Sequence, residues 1–309
     1  MELIRGIHNL RPQHRSCVAT IGNFDGVHLG HQHVLAQLAD KAKEFDCPCT
    51  VITFEPQPLE YFAPQSAPAR LMRLRDKIQV LQRQEVDRLL CLRFNKALAN
   101  MPYQEFIERV LVNGLGVRYL VVGDDFRFGK NREGTFKHLV EAGKQFNFEV
   151  VNMPTFNVEG ERVSSTRIRT ALEAGEFEKA EMMLGQYYKI TGRVVHGEKL
   201  GRELGFPTAN INIHRKVTPL HGIYVVKVFG LNGRLINGVA SIGTRPVVNG
   251  KNVILEVFLF DFNETIYGQQ LEVSFLKKLR DELPFDSLDA LKEQIAIDVE
   301  QSKQFFAEQ

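Results

Sequence analysis

The sequence predicts an α/β domain on a parallel sheet with helices on both faces, followed by a small antiparallel β-barrel that ends in a helix. Two observations carry this. Up to about Leu184, short apolar runs of strand type alternate with longer runs of helical spacing, which is the pattern of a covered parallel sheet with right-handed crossovers. Beyond it the patterns become short, β-like and closely spaced, with turn signals at Asn232-Gly233 and Asn249-Gly250.

The elements follow in order. Val18 to Ile21 reads as a strand, Gly22 and Gly26 bracket a tight loop, and an amphipathic helix runs on from His31 through Leu35, Leu38, Ala39 and Ala42. Further strands are expected at 50–54, 89–94, 119–122 and 148–151, and helices at 70–84, 103–111 and 136–145. The N-terminus, MELIRGIHNLRPQHR, is charged throughout and lacks an apolar core. In the second half, strands are expected at 189–195, 223–229, 235–242, 253–260 and 271–275. A last helix shows Leu288, Leu291, Ile295 and Val299 on one face, capped by Asp286 or Ser287. The domain boundary falls near residue 186, giving domains 1–186 and 187–309.

Composition excludes several classes. In 309 residues, 39 Lys+Arg nearly balance 37 Asp+Glu, which speaks against nucleic acid or an anionic membrane as the main partner. No apolar run is long enough to span a bilayer, so a soluble, cytoplasmic protein is expected. Cys17, Cys47, Cys49 and Cys91 lack the paired spacing of a zinc site and read as reduced core residues. Oligomeric state is left open.

Four stretches of the first half carry chemistry. In GNFDGVHLGH, His28 and His31 lie at the start of a helix, where free N–H groups and the dipole already attract phosphate. Residues Gly22, Asn23, Phe24, Asp25, Gly26 and Gly30 would let a nucleotide phosphate approach the main chain. No lysine lies in this loop, unlike the Gly-Lys-Ser/Thr phosphate loop. EPQP (55–58) and GDDFRFG (123–129) follow other strands, and ligands of such sheets sit beyond the strands' carboxyl ends, so these loops should converge on one cleft. The fourth stretch, SSTRIR, places Ser164, Ser165 and Thr166 at a helix start, with Arg167 able to fork onto phosphate oxygens. Taken alone it is also an ordinary capped helix.

In the second half, Gly197, Gly201 and Gly205 recur four apart before Phe206, Pro207, Thr208 and Asn210. A hydroxyl and an amide two residues apart on extended chain point the same way, and both are hard oxygen ligands suited to Mg²⁺. A plain glycine-rich hairpin fits this stretch as well. Glu256 sits in an apolar strand whose alternation leaves its face undecided, because apolar residues occupy both sides.

GNFDGVHLGHQ, TFEPQP, GDDFRFG and SSTRIR, followed by the Gly197 to Asn210 run, SIGTRP (241–246), LEVFLFDF (255–262) and Tyr267-Gly268, resemble the bacterial bifunctional riboflavin kinase/FMN adenylyltransferases over essentially the whole chain. The resemblance implies a Rossmann-like nucleotidyltransferase of the H-x-G-H type and a riboflavin kinase barrel. ATP phosphorylates riboflavin to FMN in the barrel; a second ATP then adenylylates FMN to FAD in the first domain. It implies catalytic roles for His28, His31, Arg167 and Glu256, and nucleotide contacts for Lys199, Gly201, Gly205 and Pro207. Flavin contacts fall to Asp124, Asp125, Arg127 and Arg280, and Mg²⁺ binding to Thr208 and Asn210. The competing readings are a regulator that binds flavin or nucleotide without catalysis, and a barrel that binds nucleic acid through alternating Phe258, Phe260 and Phe262.

Overall fold

In a computed structural model of the chain, residues 1–308 are described apart from 124, 154, 198–199, 216, 232 and 248–249. Packing divides the chain into two units, Met1–Pro68 with Met72–Ser164, and Ala69–Leu71 with Ser165–Gln309.

The first unit is a six-stranded sheet, β1 (Glu2–Arg5), β2 (Cys17–Ile21), β3 (Cys49–Glu55), β4 (Arg88–Arg93), β5 (Val117–Gly123) and β6 (Glu149–Met153), in the order β1-β4-β3-β2-β5-β6. Every neighbouring pair is parallel. Alternate side chains point to opposite faces, so each strand feeds two cores. Val18, Val51, Leu89 and Val121 pack with Leu35 and Leu38 of α1 (Leu29–Glu44). Ala19, Ile52, Leu90 and Leu120 pack on the other face with Phe106, Leu111 and Leu139. The remaining helices of this unit are α2 (Pro58–Phe62), α3 (Leu74–Arg83), α4 (Lys96–Ala99), α5 (Tyr103–Phe106), which continues as a π-helical turn Ile107–Val112, and α6 (Phe136–Phe146). A two-stranded hairpin, β7 (Asn157–Val158) and β8 (Glu161–Arg162), follows. Cys17, Cys49 and Cys91 are buried, and burial pushes the Cys17 and Cys49 thiols up to about 12, as inert core residues require.

Two departures from the sequence expectations have physical causes. The N-terminal stretch contains an edge strand, β1, hidden in the sequence because only Ile4 of its four residues is buried. The helix expected over 70–84 starts only at Leu74. The guanidinium of Arg215 donates to the carbonyls of Arg70 and Leu71, and Arg169 Nε donates to that of Ala69, so these acceptors are engaged outside any helix.

The second unit opens with α7 (Ser165–Ala174) and α8 (Phe177–Leu184). A closed barrel follows, with strands β9 (Tyr188–Val195), β10 (Thr208–Asn212), β11 (Gly222–Leu231), β12 (Arg234–Val247), β13 (Gly250–Leu259) and β14 (Gln270–Arg280) in the order β10-β13-β12-β11-β14-β9. Its neighbours are all antiparallel. Between β9 and β10 lies a single helical turn, α9 (Leu200–Glu203), closed where Phe206 N–H bonds the Gly201 carbonyl and Gly205 turns left-handed at φ +90°. The terminal helix, α10 (Leu288–Ala307), is capped by Ser287, whose hydroxyl accepts from Ala290 N–H at 3.1 Å.

Phe177 of α8 meets the ring of Tyr224 edge-on at 5.5 Å, and both are buried. Phe177→Ala is therefore expected to destabilise the second unit by about 3–5 kcal/mol, as read from denaturant unfolding followed by circular dichroism.

Candidate active sites

The first site is the turn from β2 into α1. Three of its residues are left-handed, Phe24 (φ +48°), Gly26 (+87°) and Val27 (+40°). For Phe24 and the β-branched Val27 this conformation costs on the order of 1–3 kcal/mol each. Hydrogen bonds from other elements hold it in place. Lys77 Nζ donates to the Asn23 carbonyl at 2.6 Å, Asp25 accepts from Met72 N–H at 3.2 Å, and Gln32 Nε2 donates to the Val27 carbonyl at 2.9 Å. Asp25, 2 % exposed, thus shapes the loop.

His28 lies one residue ahead of the helix as its N-cap, and its Nδ1 accepts from His31 N–H at 3.3 Å. A neutral imidazole accepting at Nδ1 carries its proton on Nε2. The His28 and His31 rings stack at 3.7 Å, and Phe24 packs on His31 at 4.8 Å. The space beside Gly30 is filled by the His28 ring, 3.2 Å from where a Cβ would stand, so this glycine lets the histidine fold back over the helix start.

Beside this loop, a cavity of 670 Å³ opens at the carboxyl ends of the strands. Gly22 and Asn23 reach it from β2, Phe54 and Pro58 from β3, Phe94 from β4, and Asp125 to Gly129 from β5, so these loops do converge. His28 and His31 are not among its lining residues. The lining is aromatic. Phe94 meets Phe54, Tyr61 and Phe62 edge-on at 5.6 to 5.8 Å, and Phe126 stacks on Phe128 at 5.4 Å. Such a slot suits a planar conjugated ring. Arg127 and Asp125 are exposed at its rim, where Asp125 lies 3.7 Å from Arg162.

The second site lies on the outside of the barrel. Asn210, Glu256 and Ser241 are direct partners across β10, β13 and β12, and Thr208 pairs with Phe258 in the adjacent row. Phe258 and Val239 pack against Val299 and Ile295 of α10, so this face points outward under the helix. The opposite row, Val253, Leu255, Val257 and Leu259, fills the barrel interior. A cavity of 530 Å³ between wall and helix is lined by Thr208, Asn210, Ser241, Glu256, Arg280 and Asp298, with Gly201 and Phe206 at its edge. Asp298 holds Arg280 with two hydrogen bonds, of 2.8 and 2.6 Å. A Cβ on Gly197 would overlap the Asn210 amide, and one on Gly201 would stand 2.5 Å from the Phe206 carbonyl and 3.2 Å from Thr208 Oγ1, so both glycines let this chain and the Asn210 and Thr208 side chains pack against their backbone.

A family model described as FAD synthetase matches residues 10–167, and one described as riboflavin kinase matches residues 184–306. A bifunctional riboflavin kinase/FMN adenylyltransferase of Haemophilus influenzae is 51 % identical over 306 residues, covering 99 % of both chains. One of Escherichia coli K12 is 49 % identical over 308 residues, 99 % of this chain and 98 % of its own. The chain belongs to the bifunctional riboflavin kinase/FMN adenylyltransferase family. The fold also matches a crystal structure of a macrolide-efflux protein from Streptococcus pneumoniae, with a TM-score of 0.81, 30 % identity and coverage of 96 % and 97 %. Among the described residues, no helix is long and apolar enough to cross a membrane.

Against this family's two activities, the other residues singled out from sequence are placed as follows. Ser164 closes the first packing unit, while Ser165, Thr166 and Arg167 open α7 in the second, Arg167 half-buried. Pro207 leads into β10. Asp124 and Lys199 lie outside the described residues. Sequence reasoning missed the aromatic walls at Tyr61, Phe62 and Phe94, the helix residue Asp298, and Lys77. Of these, only the Tyr61-Phe62 pair next to EPQP offers a local signal.

Burial first, then His28 and the Lys77 cation, hold the His31 imidazole well below the usual histidine range. The unfolded chain binds this proton near pH 6.5 and the folded chain only at lower pH. The stability that His31 contributes is thus complete above about pH 6.5 and is lost as pH falls from there toward its folded value. Ring ¹⁵N spectra should show His31 neutral, with no titration step between about pH 6 and 8.

Proposed function

We propose that the chain makes FAD from riboflavin in two ATP-dependent steps, one in each domain, 1–186 and 187–309. The observation that carries this is that each packing unit contains its own ligand-sized cavity, with polar groups suited to one step. In the barrel, the 5′-hydroxyl of riboflavin attacks the γ-phosphorus of ATP, giving FMN and ADP. Glu256, on the cavity wall, orients that hydroxyl and accepts its proton. Thr208 and Asn210 would hold Mg²⁺ beside the nucleotide, and the fit is supported by a hydroxyl and an amide oxygen lining the same cavity from alternate positions of β10. The ion would neutralise phosphate charge. Lys199, Gly205 and Pro207 would contact the nucleotide, and Arg280, fixed by Asp298, would border the flavin.

In the first domain, the FMN phosphate attacks the α-phosphorus of a second ATP and pyrophosphate leaves. This nucleophile is already anionic, so what the step requires is oriented donors for the charge that builds on the phosphoryl group and leaving group. The cap at Nδ1 leaves His28 with a donor at Nε2, and His31 and the loop N–H groups join it; Arg167, at the start of α7, is assigned its phosphate role by the family resemblance alone. The aromatic cavity takes the flavin ring, with Asp125 and Arg127 at its rim, and Asp124 is proposed as a further flavin contact. Both reactions consume soluble nucleotides and fit a cytoplasmic enzyme that needs no nucleic-acid partner.

Incubating the protein with riboflavin, ATP and Mg²⁺ and separating the flavins tests the reading; failure to form either FMN or FAD would favour a binding regulator. His28→Ala or His31→Ala should lower FAD formation on the order of 10²–10³-fold while FMN formation persists, checked by supplying riboflavin and FMN separately. Glu256→Gln should lower riboflavin phosphorylation by roughly 10²–10⁴-fold and leave adenylylation of supplied FMN near the wild-type rate.

A further inference from the structure

The phosphate loop contains no lysine of its own, yet a lysine lies beneath it. Lys77, 54 positions from Asn23 in sequence, projects from α3 and is 1 % exposed. Its ammonium donates to the Asn23 carbonyl at 2.6 Å, and the buried Thr53 hydroxyl donates to the same oxygen at 3.4 Å. A buried lysine costs desolvation that its hydrogen-bond partners offset, and here one of those partners is a main-chain carbonyl of the turn between β2 and α1.

We propose that Lys77 is a positioning residue for adenylyl transfer, a cation under the loop that holds the Asn23 carbonyl inward and lends the loop fixed positive charge. The inference rests on the adenylyltransferase reading of this site. The Asn23 carbonyl belongs to the peptide whose N–H is that of Phe24, the first left-handed residue of the turn. Fixing the carbonyl inward points that N–H the opposite way, toward the phosphate side. Gln32 does the same at the far end by holding the Val27 carbonyl. The cation also acts on His31, where its field opposes protonation, so the imidazole stays a neutral donor while the positive charge is carried from below. A phosphate loop of the Gly-Lys type brings its lysine to the phosphates directly; here the charge sits on a neighbouring helix and acts through the backbone.

The test compares wild type with Lys77→Gln, which keeps an N–H donor but loses the charge, in the full chain. FMN-to-FAD conversion by wild type establishes the underlying reading; its absence would defeat that reading before Lys77 is in question. Given wild-type conversion, Lys77→Gln is expected to lower kcat for adenylyl transfer on the order of 10²-fold, with KM for FMN changed by less than about a factor of three. Riboflavin phosphorylation by the same preparation should be unchanged. A Lys77→Gln protein with wild-type kcat, or one whose loss lies wholly in KM for FMN, would overturn the proposal. If Lys77→Gln does not unfold cooperatively, Lys77→Met is scored by the same criteria. This variant keeps the length of the side chain while losing both charge and donor.

Discussion

The backbone between β2 and α1 must turn from a fully buried strand into a helix within a few residues, and it does so through three left-handed positions. Two of these are not glycine, so the turn is stable only because groups from elsewhere hold its carbonyls and its aspartate. Lys77, Met72 and Gln32 supply those hydrogen bonds, and the His28 cap closes the helix end. The ground-state strain of the turn is offset by these neighbours, and the turn ends at the positive end of a helix.

The barrel solves a different problem. Its interior is filled with side chains, so a ligand has to be housed outside the wall. The terminal helix makes this possible by standing off the outer face of β12 and β13 and enclosing a cavity whose floor is the Asn210, Glu256, Ser241 row. The same helix contributes Asp298, which fixes Arg280 at the cavity edge. Covering the outer face also explains why β13 is apolar on both sides, and why Glu256 stands out as a carboxylate with Phe258 beside it on that face.

Much of this was legible locally. The strand, glycine turn and histidine pair lie within a single short stretch, and the physics that shapes them, helix capping and exposed N–H groups, acts between near neighbours. Thr208 and Asn210 were readable as a pair for the same reason, since alternation along one strand puts both on one face. The N-terminal edge strand was not readable, because an edge strand with one buried residue carries little hydrophobic signal. The start of α3 was shifted by Arg215, whose hydrogen bonds to Arg70 and Leu71 no local pattern encodes.

By itself the sequence determined the two architectures, their order along the chain and the position of each glycine-rich turn, because periodicity and turn chemistry depend on contacts a few residues apart. Only the tertiary structure decided which face Glu256 occupies, which aromatic rings line the flavin-sized cavity, and that a lysine lies under a loop that has none. Each of these depends on register between strands or on packing between elements far apart in the chain, where no short-range pattern records which partner will be met.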